Sequence, residues 1–172
     1  NKINGKHLIE PIAQVAWGWR EKSKVISDES THTEFDMGNL IKISRFAASD
    51  RYEDGTHGAY GLRYSYNKTN SHRLELGLGK VLRKKSHNGF TDSSGLNKSE
   101  SDNYITTTVN LPLNSYLSFQ GLIDEKMASK KTTFNGGFNY KKLDLDAEYS
   151  YLKPDPLELR KMPVEEWTVS NH

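Results

Sequence analysis

Apolar and polar residues alternate through most of this chain, and this two-residue period constrains the fold more than any other feature. In 143–151, leucine, alanine and tyrosine side chains occupy one face, while aspartate, glutamate and serine side chains occupy the other. Successive residues of a β-strand point to opposite sides, so this run predicts a strand whose two faces meet different surroundings. The same alternation predicts further strands at 8–19, 58–66, 73–82, 103–111, 116–124, 132–140 and, more weakly, 164–170.

The predicted strands are long, and aromatic side chains gather toward their ends. Most reach about nine or ten residues, the length that a tilted strand needs to cross a bilayer, whereas strands of soluble proteins average about five or six. Tyr64 and Tyr66, like Tyr149 and Tyr151, stand where the aromatic girdle of a membrane barrel lies. Both features favour strands that cross an outer membrane.

Short and long connections alternate along the chain. Tight turns are predicted at 112–114 and 141–142, and longer polar connections at 20–34, 45–57, 83–101 and 125–131. Short turns at one end and long loops at the other are typical of outer-membrane barrels, where every backbone polar group in lipid must be paired. The sequence therefore predicts an all-β fold: an antiparallel up-and-down meander of about eight or nine long strands, in a curved sheet that forms part of a large outer-membrane β-barrel.

Composition agrees with strands that are apolar on one side only. Hydrophobic residues make up 34% of the chain, which is low for a packed domain, yet aromatics reach 10% and recur regularly, unlike those of a disordered chain. Charges are mixed and sum to +2, so no nucleic-acid interface is expected. Cysteine is absent, which excludes disulfides and thiolate metal sites from this stretch. No apolar run reaches the length of a transmembrane helix.

The chain carries no signal peptide and begins with Asn1 instead of methionine. We therefore expect residues 1–172 to be a single segment of an outer-membrane β-barrel domain, incomplete at both ends. The missing targeting signal then says nothing about the location of the intact protein.

An ordered series of short motifs lies mainly between residues 30 and 66. It runs phenylalanine–aspartate, asparagine–leucine, arginine–phenylalanine, aspartate–arginine, an acidic residue with a glycine, and a tyrosine–glycine strand. The residues are Phe35, Asp36, Asn39, Leu40, Arg45, Phe46, Asp50, Arg51, Glu53, Gly55, Tyr60 and Gly61. This series resembles the barrel domain of the LptD family, the outer-membrane lipopolysaccharide-assembly proteins. Pieces at 8–14, 77–80, 94–96 and 101–102 extend the resemblance over about 8–152.

The chain departs from the family's pattern at three points. Ala48 and Ser49 stand where the family usually has glycine and tyrosine. The family's disulfide cysteines have no counterpart, and the chain ends in Asn171 and His172 instead of an aromatic insertion signal. The last two departures favour an internal fragment from the C-terminal half of the barrel.

The resemblance implies a function and a set of partners. It implies that the segment helps to insert lipopolysaccharide into the outer leaflet of the outer membrane of a Gram-negative bacterium, and that it is not an enzyme. The implied partners are lipopolysaccharide, outer-membrane lipid and, for the intact protein, an LptE-like lipoprotein plug and a periplasmic lipopolysaccharide-transport bridge. Periodicity alone supports the barrel wall and none of these roles.

Two groups of charged residues are candidates for functional sites. The polar strand faces carry lumen-facing candidates, which are Arg63, Arg73, Glu75, Asp144, Asp146 and Glu148. The most highly charged connection carries candidates for a structured loop, which are Arg45, Asp50, Arg51 and Glu53. Because arginine–carboxylate pairs fix geometry, such a loop can fold into the lumen or over the barrel mouth. The alternative is an exposed loop with ion pairs worth about 0–1 kcal/mol. The basic cluster of Lys80, Arg83, Lys84 and Lys85 is predicted to be a solvated loop.

No catalytic, cofactor or metal site is predicted. The six histidines are scattered and lack a metal-binding spacing. Asp144 and Asp146 share a strand face, but a wet row of carboxylates lacks the dry acid that glycosidase chemistry requires. Gly77 and Gly79 lack the third glycine and the helix of a dinucleotide-binding loop.

The residues alone leave two other functions open. One is a generic porin-like outer-membrane channel, which needs a full set of strands and a constricting ring of charge. The other is a soluble β-sandwich or lipocalin-like binding protein, because soluble antiparallel sheets also alternate. A sandwich requires the tyrosines at 60–66 and 149–151 to be buried between two sheets.

Overall fold

Eight β-strands form one antiparallel sheet in chain order. The computed structural model describes residues 5–19, 35–46, 52–68, 72–87, 89–141, 143–156 and 159–171. The strands are β1 (Gly5–Gly18), β2 (Gly55–Lys68), β3 (His72–Arg83), β4 (Asn103–Leu111), β5 (Ser115–Ile123), β6 (Ser129–Tyr140), β7 (Leu143–Leu152) and β8 (Val164–Asn171). Each strand pairs with the next, which leaves β1 and β8 at the two edges of the sheet. The predicted meander of long strands is confirmed.

The strand register places apolar residues of all eight strands on one face, called the outer face here. Residues directly opposite one another in neighbouring strands point to the same side of a sheet. One complete outer row consists of Ile9, Tyr64, Leu76, Thr107, Phe119, Phe134, Tyr149 and Trp167. The adjacent row of the opposite, inner face consists of Leu8, Ser65, Glu75, Thr108, Ser118, Asn135, Glu148 and Thr168.

Large hydrophobic side chains of the outer face are exposed. Val15 is 82% exposed, Trp17 is 72% exposed and Trp167 is 71% exposed. The described residues form a single sheet, and Tyr60 on the outer face is 50% exposed, so these strands do not pack as a sandwich around the tyrosines. No helix among the described residues is long and apolar enough to cross a membrane.

The connections lie at two distinct ends of the sheet. The strand ends that border the short connections 69–71, 112–114 and 141–142 share one end of the sheet, called the short-turn end. The strand ends that border the connections 19–54, 84–102, 124–128 and 153–163 share the other, called the long-loop end. The predicted loop at 125–131 is wrong in length, because β6 already begins at Ser129. Asp124 closes this turn early, since its Oδ1 accepts hydrogen bonds from the backbone N–H groups of Lys126 and Ala128, each at 2.8 Å.

The hydrophobic core lies on the inner face near the long-loop end. Strand residues and residues of two long connections form it together. Its members are Phe35, Leu40, Phe46, Ala59, Val81, Phe90, Leu96, Tyr104 and Leu122. Leu40 is fully buried, and a Cβ on Gly79 would lie 2.9 Å from its Cδ2 atom. Glycine in the strand thus lets the connection approach the sheet backbone.

Candidate functional site

Residues 35–46 form a compact segment that lies against the inner face. The backbone N–H of Asp36 donates to Asn39 Oδ1 at 3.0 Å, and the backbone N–H of Asn39 donates to Asp36 Oδ1 at 2.8 Å. These reciprocal bonds are the Asx type of turn closure, in which a short polar side chain replaces a backbone partner. The turn places Leu40 over the strand glycines and the Phe35 ring 5.7 Å from that of Tyr104.

The centre of the site is a buried carboxylate held by two arginines. Arg45 donates to Glu53 Oε1 from its backbone N–H and from Nη1, each at 2.9 Å. Arg83 donates to Glu53 Oε2 from Nε at 3.0 Å, and its Nη2 lies 2.9 Å from the same oxygen. The side chains of Arg45, Glu53 and Arg83 are 0%, 1% and 4% exposed. We call these three residues the Glu53 cluster.

Each arginine of the Glu53 cluster also binds a backbone carbonyl. Arg45 Nη2 donates to the carbonyl of Leu40 at 2.6 Å, and Arg83 Nη1 donates to the carbonyl of Leu96 at 2.9 Å. Burial opposes ionisation of Glu53, but the charges of Arg83 and Arg45 outweigh it and hold the pKa of Glu53 below its ordinary value. The cluster therefore joins two connections that are distant in sequence to the end of β3.

An aromatic stack lies beside the Glu53 cluster. The rings of Phe46 and Phe90 are parallel within 6° with centroids 4.2 Å apart, and the Arg83 guanidinium lies 5.0 Å from the Phe90 centroid. The His87 ring contacts both phenylalanines. Its Nδ1 accepts the backbone N–H of Gly89 at 3.1 Å, so the neutral ring has its proton on Nε2, 3.2 Å from Asp54 Oδ1.

A buried lysine anchors the same connection to the far side of the sheet. Lys130 of β6 is 2% exposed, and its Nζ lies 2.6 Å from Asp92 Oδ1 and 2.9 Å from Asp102 Oδ2. Burial of Asp92 favours its neutral form, but the hydrogen bond and charge of Lys130 lower the pKa of Asp92 below its ordinary value. Lys130, Asp92 and Asp102 are called the Lys130 cluster here.

Backbone contacts complete the attachment of residues 84–102. Ser101 pairs with Val81 of β3, since the backbone N–H of each donates to an oxygen of the other at 2.8 Å. The backbone N–H of Ser93 donates to Asp155 Oδ2 at 2.7 Å, which links this connection to the one before β8. Residues 35–46, 52–54, 84–87 and 89–102 thus form one layer over the inner face at the long-loop end, and we call this layer the loop cap.

The candidates for a structured loop divide into two pairs. The structure brings Arg45 and Glu53 together in the buried Glu53 cluster. Asp50 and Arg51 lie outside the described residues.

The solvated loop predicted for the basic cluster around Arg83 is wrong at Arg83 itself. Its side chain is 4% exposed and ends β3, where it carries the inner-face alternation one step beyond Val81. The alternation along β3 is the sequence feature that could have indicated that the Arg83 side chain points to the inner face. Lys80 is also paired, with Nζ 2.9 Å from Glu100 Oε2. Lys84 and Lys85 are exposed.

The six lumen-facing candidates all lie on the inner face. The strand register aligns Glu75 with Glu148 and Arg73 with Asp146 along two inner rows. Arg73 pairs with Glu75, and the Tyr116 hydroxyl donates to Asp146 Oδ1 at 2.7 Å. Arg63 is exposed on β2, and Asp144 lies opposite Asn139. These rows form a polar surface that continues from the loop cap toward the short-turn end.

Sequence reasoning missed the Lys130 cluster. A lysine at a strand start, between Ser129 and Lys131, resembles any solvated strand end, and its partners lie in another connection. Among the residues that the structure describes, no group of three or more histidine, cysteine, aspartate or glutamate side chains is placed to hold a metal ion.

The fold and the surfaces together define a class of protein. A meander of long antiparallel strands, with a largely apolar exposed face and a polar face that long loops cover at one end, is typical of outer-membrane β-barrel proteins. The model of one family, LptD (LPS transport system D), matches residues 2–170. The chain therefore belongs to the LptD family, whose members are outer-membrane proteins of lipopolysaccharide transport and not enzymes. Searches among curated proteins and among solved structures gave no match.

Proposed function

We propose that residues 1–172 form one segment of the barrel wall of a lipopolysaccharide translocon in the outer membrane of a Gram-negative bacterium. The outer face contacts lipid, the inner face lines the lumen, and the loop cap covers the lumen at the cell exterior. The segment acts through its shape and surface chemistry, as a wall past which lipopolysaccharide reaches the outer leaflet.

The observation that carries this proposal is the contrast between adjacent rows of the sheet. The outer rows through Tyr64 and Tyr66 hold sixteen residues with no aspartate, glutamate, lysine or arginine. The inner rows through Ser65 and Asn67 contain five such charges, on Lys6, Arg73, Glu75, Asp146 and Glu148. Lipid on one side and water on the other account for this difference.

The height of the uncharged band supports the same proposal. On β2 the uncharged band ends at Lys68, and on β3 it ends at Lys80. Lys80 lies opposite Tyr60 of β2, so the height of the band equals the distance from Tyr60 to Lys68, which is eight residues. At about 3.4 Å per residue and a tilt of about 40°, this separation spans roughly 20 Å, close to the apolar band of about 25 Å in outer-membrane barrels.

The inner-face charges are proposed to line a wet lumen. Arg63, Arg73, Glu75, Asp144, Asp146 and Glu148 have this role in the proposal, which their shared face supports. Family membership supports lipopolysaccharide as the cargo, and we further propose an LptE-like lipoprotein plug and a periplasmic transport bridge as partners.

Arginine substitutions on the two faces test the proposal. Leu76→Arg places a charge in the middle of the outer face and is expected to cost about 2–4 kcal/mol and to reduce the folded barrel in outer-membrane fractions. Thr108→Arg, on the inner face of the next strand, is the matched control and is expected to insert normally. Folded protein is measured by its heat-dependent electrophoretic shift. Normal insertion of Leu76→Arg, or equal loss in both variants, contradicts a lipid-facing outer surface.

A further inference from the structure

An apolar groove with a single basic end crosses the outer face at its long-loop end. Its volume is about 460 Å³, within the usual size range of ligand sites. It runs across the outer faces of β2–β5. The outer-face side chains that line it are Tyr60, Leu62, Leu78, Lys80, Asn103, Ile105, Ile123 and Met127.

Lys80 supplies the charge of this groove. Among the outer-face residues of β2–β5, it is the charged side chain at the long-loop end, and Lys68 lies at the opposite end. A lysine at the boundary of an apolar band buries its stem and presents its ammonium at the level of lipid headgroups. The side chain of Lys80 is 14% exposed, consistent with that arrangement.

Glu100 orients Lys80 without using all of its donors. The Lys80 Nζ donates one hydrogen bond to Glu100 Oε2 at 2.9 Å, and an ammonium has three N–H donors. The Glu100 side chain is 56% exposed, so solvent weakens its attraction for Lys80. An incoming phosphate can therefore bind the remaining donors or displace the carboxylate.

Met127 forms the wall of the groove next to β5. The connection 124–128 holds it at a positive φ of 63°, where its side chain is 78% exposed. The backbone N–H of Met127 donates to the carbonyl of Asp124 at 3.1 Å, and Asp124 Oδ1 accepts two further backbone bonds. A closed turn thus presents a flexible apolar side chain toward the groove, and methionine adapts readily to irregular ligands.

We propose that this groove binds a phosphorylated, multiply acylated lipid of the lipopolysaccharide class, with one acyl chain against Leu62, Leu78 and Ile105 and a phosphate on Lys80 Nζ. The inference rests on the proposed function, which sets the long-loop end in the outer leaflet. Charge complementarity selects an anionic lipid, and lysine binds phosphate as a point charge. The site gives the cargo a resting position on the outside of the wall, away from the lumen.

Native mass spectrometry of the purified protein in detergent tests the site with bisphosphorylated lipid A. Lys80→Gln is expected to lower the affinity about tenfold, as loss of one charge-assisted hydrogen bond implies. Glu100→Gln removes the competing charge, keeps an acceptor for Lys80 and is expected to raise the affinity. Lys85→Gln, an exposed lysine outside the groove, is the matched control and should bind as the wild type does.

Three results would overturn the site. They are unchanged binding by Lys80→Gln, binding by Glu100→Gln that is as weak as that by Lys80→Gln, and equal binding of phosphatidylglycerol and lipid A by the wild type. The heat-dependent electrophoretic shift of each variant shows whether its barrel is folded and inserted. This measurement distinguishes failure of the groove proposal from failure of the proposed function. A barrel that inserts normally but gives one of these results disproves the groove alone, whereas insertion of Leu76→Arg disproves the wall.

Discussion

At the scale of single residues, Glu53 organises the loop cap. Its two oxygens accept hydrogen bonds from Arg45 and Arg83, and all three side chains are almost fully buried. Two guanidinium groups with only one carboxylate remain favourable because each arginine also binds a carbonyl oxygen. Removing one partner of such a buried pair leaves an uncompensated charge, which is far more costly than the pair itself is stabilising.

Glu53→Gln is accordingly expected to destabilise the protein by about 3–5 kcal/mol, because two buried arginines lose their counter-charge. The measurement is urea unfolding followed by tryptophan fluorescence. Glu75→Gln is the matched control, since its ion pair with Arg73 is half exposed and is worth about 0–1 kcal/mol. Equal destabilisation by the two variants would show that the burial of Glu53 has no energetic consequence.

His87 gives the loop cap a dependence on pH. Burial, together with the nearby Arg83 charge, lowers the pKa of His87 below 6.5 despite the opposing effect of Asp54. A lowered pKa favours the neutral ring, so its stabilisation is complete above pH 6.5 and is lost as the pH falls through the folded pKa. Protonation also removes the Nδ1 acceptor of the Gly89 N–H.

Hydrogen exchange of residues 84–102 is therefore expected to accelerate as the pH falls below 6.5, after correction for intrinsic rates. His87→Gln keeps hydrogen-bonding capacity and removes the titration, so its protection should not change in this pH window. If protection from hydrogen exchange falls equally in the wild type and in His87→Gln, the pH dependence arises from other groups, such as Glu53 at lower pH.

At the scale of elements, the loop cap depends on small residues in the strands beneath it. A Cβ on Gly79 would lie within 3.0 Å of two carbons of Leu40 and meets no other atom that close. Strand β3 therefore carries glycine where β-branched residues would otherwise stabilise it. The absence of a side chain at Gly79 allows Leu40, and the segment that Leu40 anchors, to be buried against the sheet.

Gly79→Ala is expected to destabilise the protein by about 1–3 kcal/mol through crowding against Leu40, and Leu40→Ala by about 2–5 kcal/mol through a cavity. The double variant should lose less than the sum, because each change relieves the other. Urea unfolding of the four proteins gives the coupling energy. Strict additivity would mean that Leu40 does not rest on this glycine.

At the scale of the whole molecule, the loop cap links elements across the sheet. The Glu53 cluster joins the connection before β2 to the end of β3, and the Lys130 cluster joins residues 84–102 to β6. Asp155 extends the link to the connection before β8. We expect a layer attached at so many points to move as a unit, as the proposed covering of the lumen requires.

Opening this layer should make the outer membrane permeable to large hydrophilic antibiotics. The combination of Glu53→Gln and Lys130→Gln releases both clusters and is expected to increase vancomycin sensitivity at an unchanged level of inserted protein. The combination of Lys84→Gln and Lys85→Gln, which alters two exposed lysines, should leave sensitivity unchanged. Unaltered sensitivity of the first variant with normal insertion argues that the cap does not close the pore.

The sequence by itself determined the strands, their two faces and the family. Alternation is a local property, so runs such as 143–151 specified both the strand and the direction of each side chain before any pairing was known. The motif series likewise placed Arg45 and Glu53 among the four candidates for a structured loop, and the structure pairs these two side chains. The predicted length of the connection after β5 was wrong. Asp124 shortens this connection through side-chain hydrogen bonds to the backbone, which the local turn pattern does not reveal.

Only the tertiary structure decided what the long connections do. Arg83 is 30 residues from Glu53, Lys130 is 38 residues from Asp92 and Asp155 is 62 residues from Ser93. The sheet register brings these groups together, and no local pattern of charge distinguishes a buried lysine or arginine from a solvated one. Burial of a charge requires partners from several elements at once, so it is a property of the assembled fold.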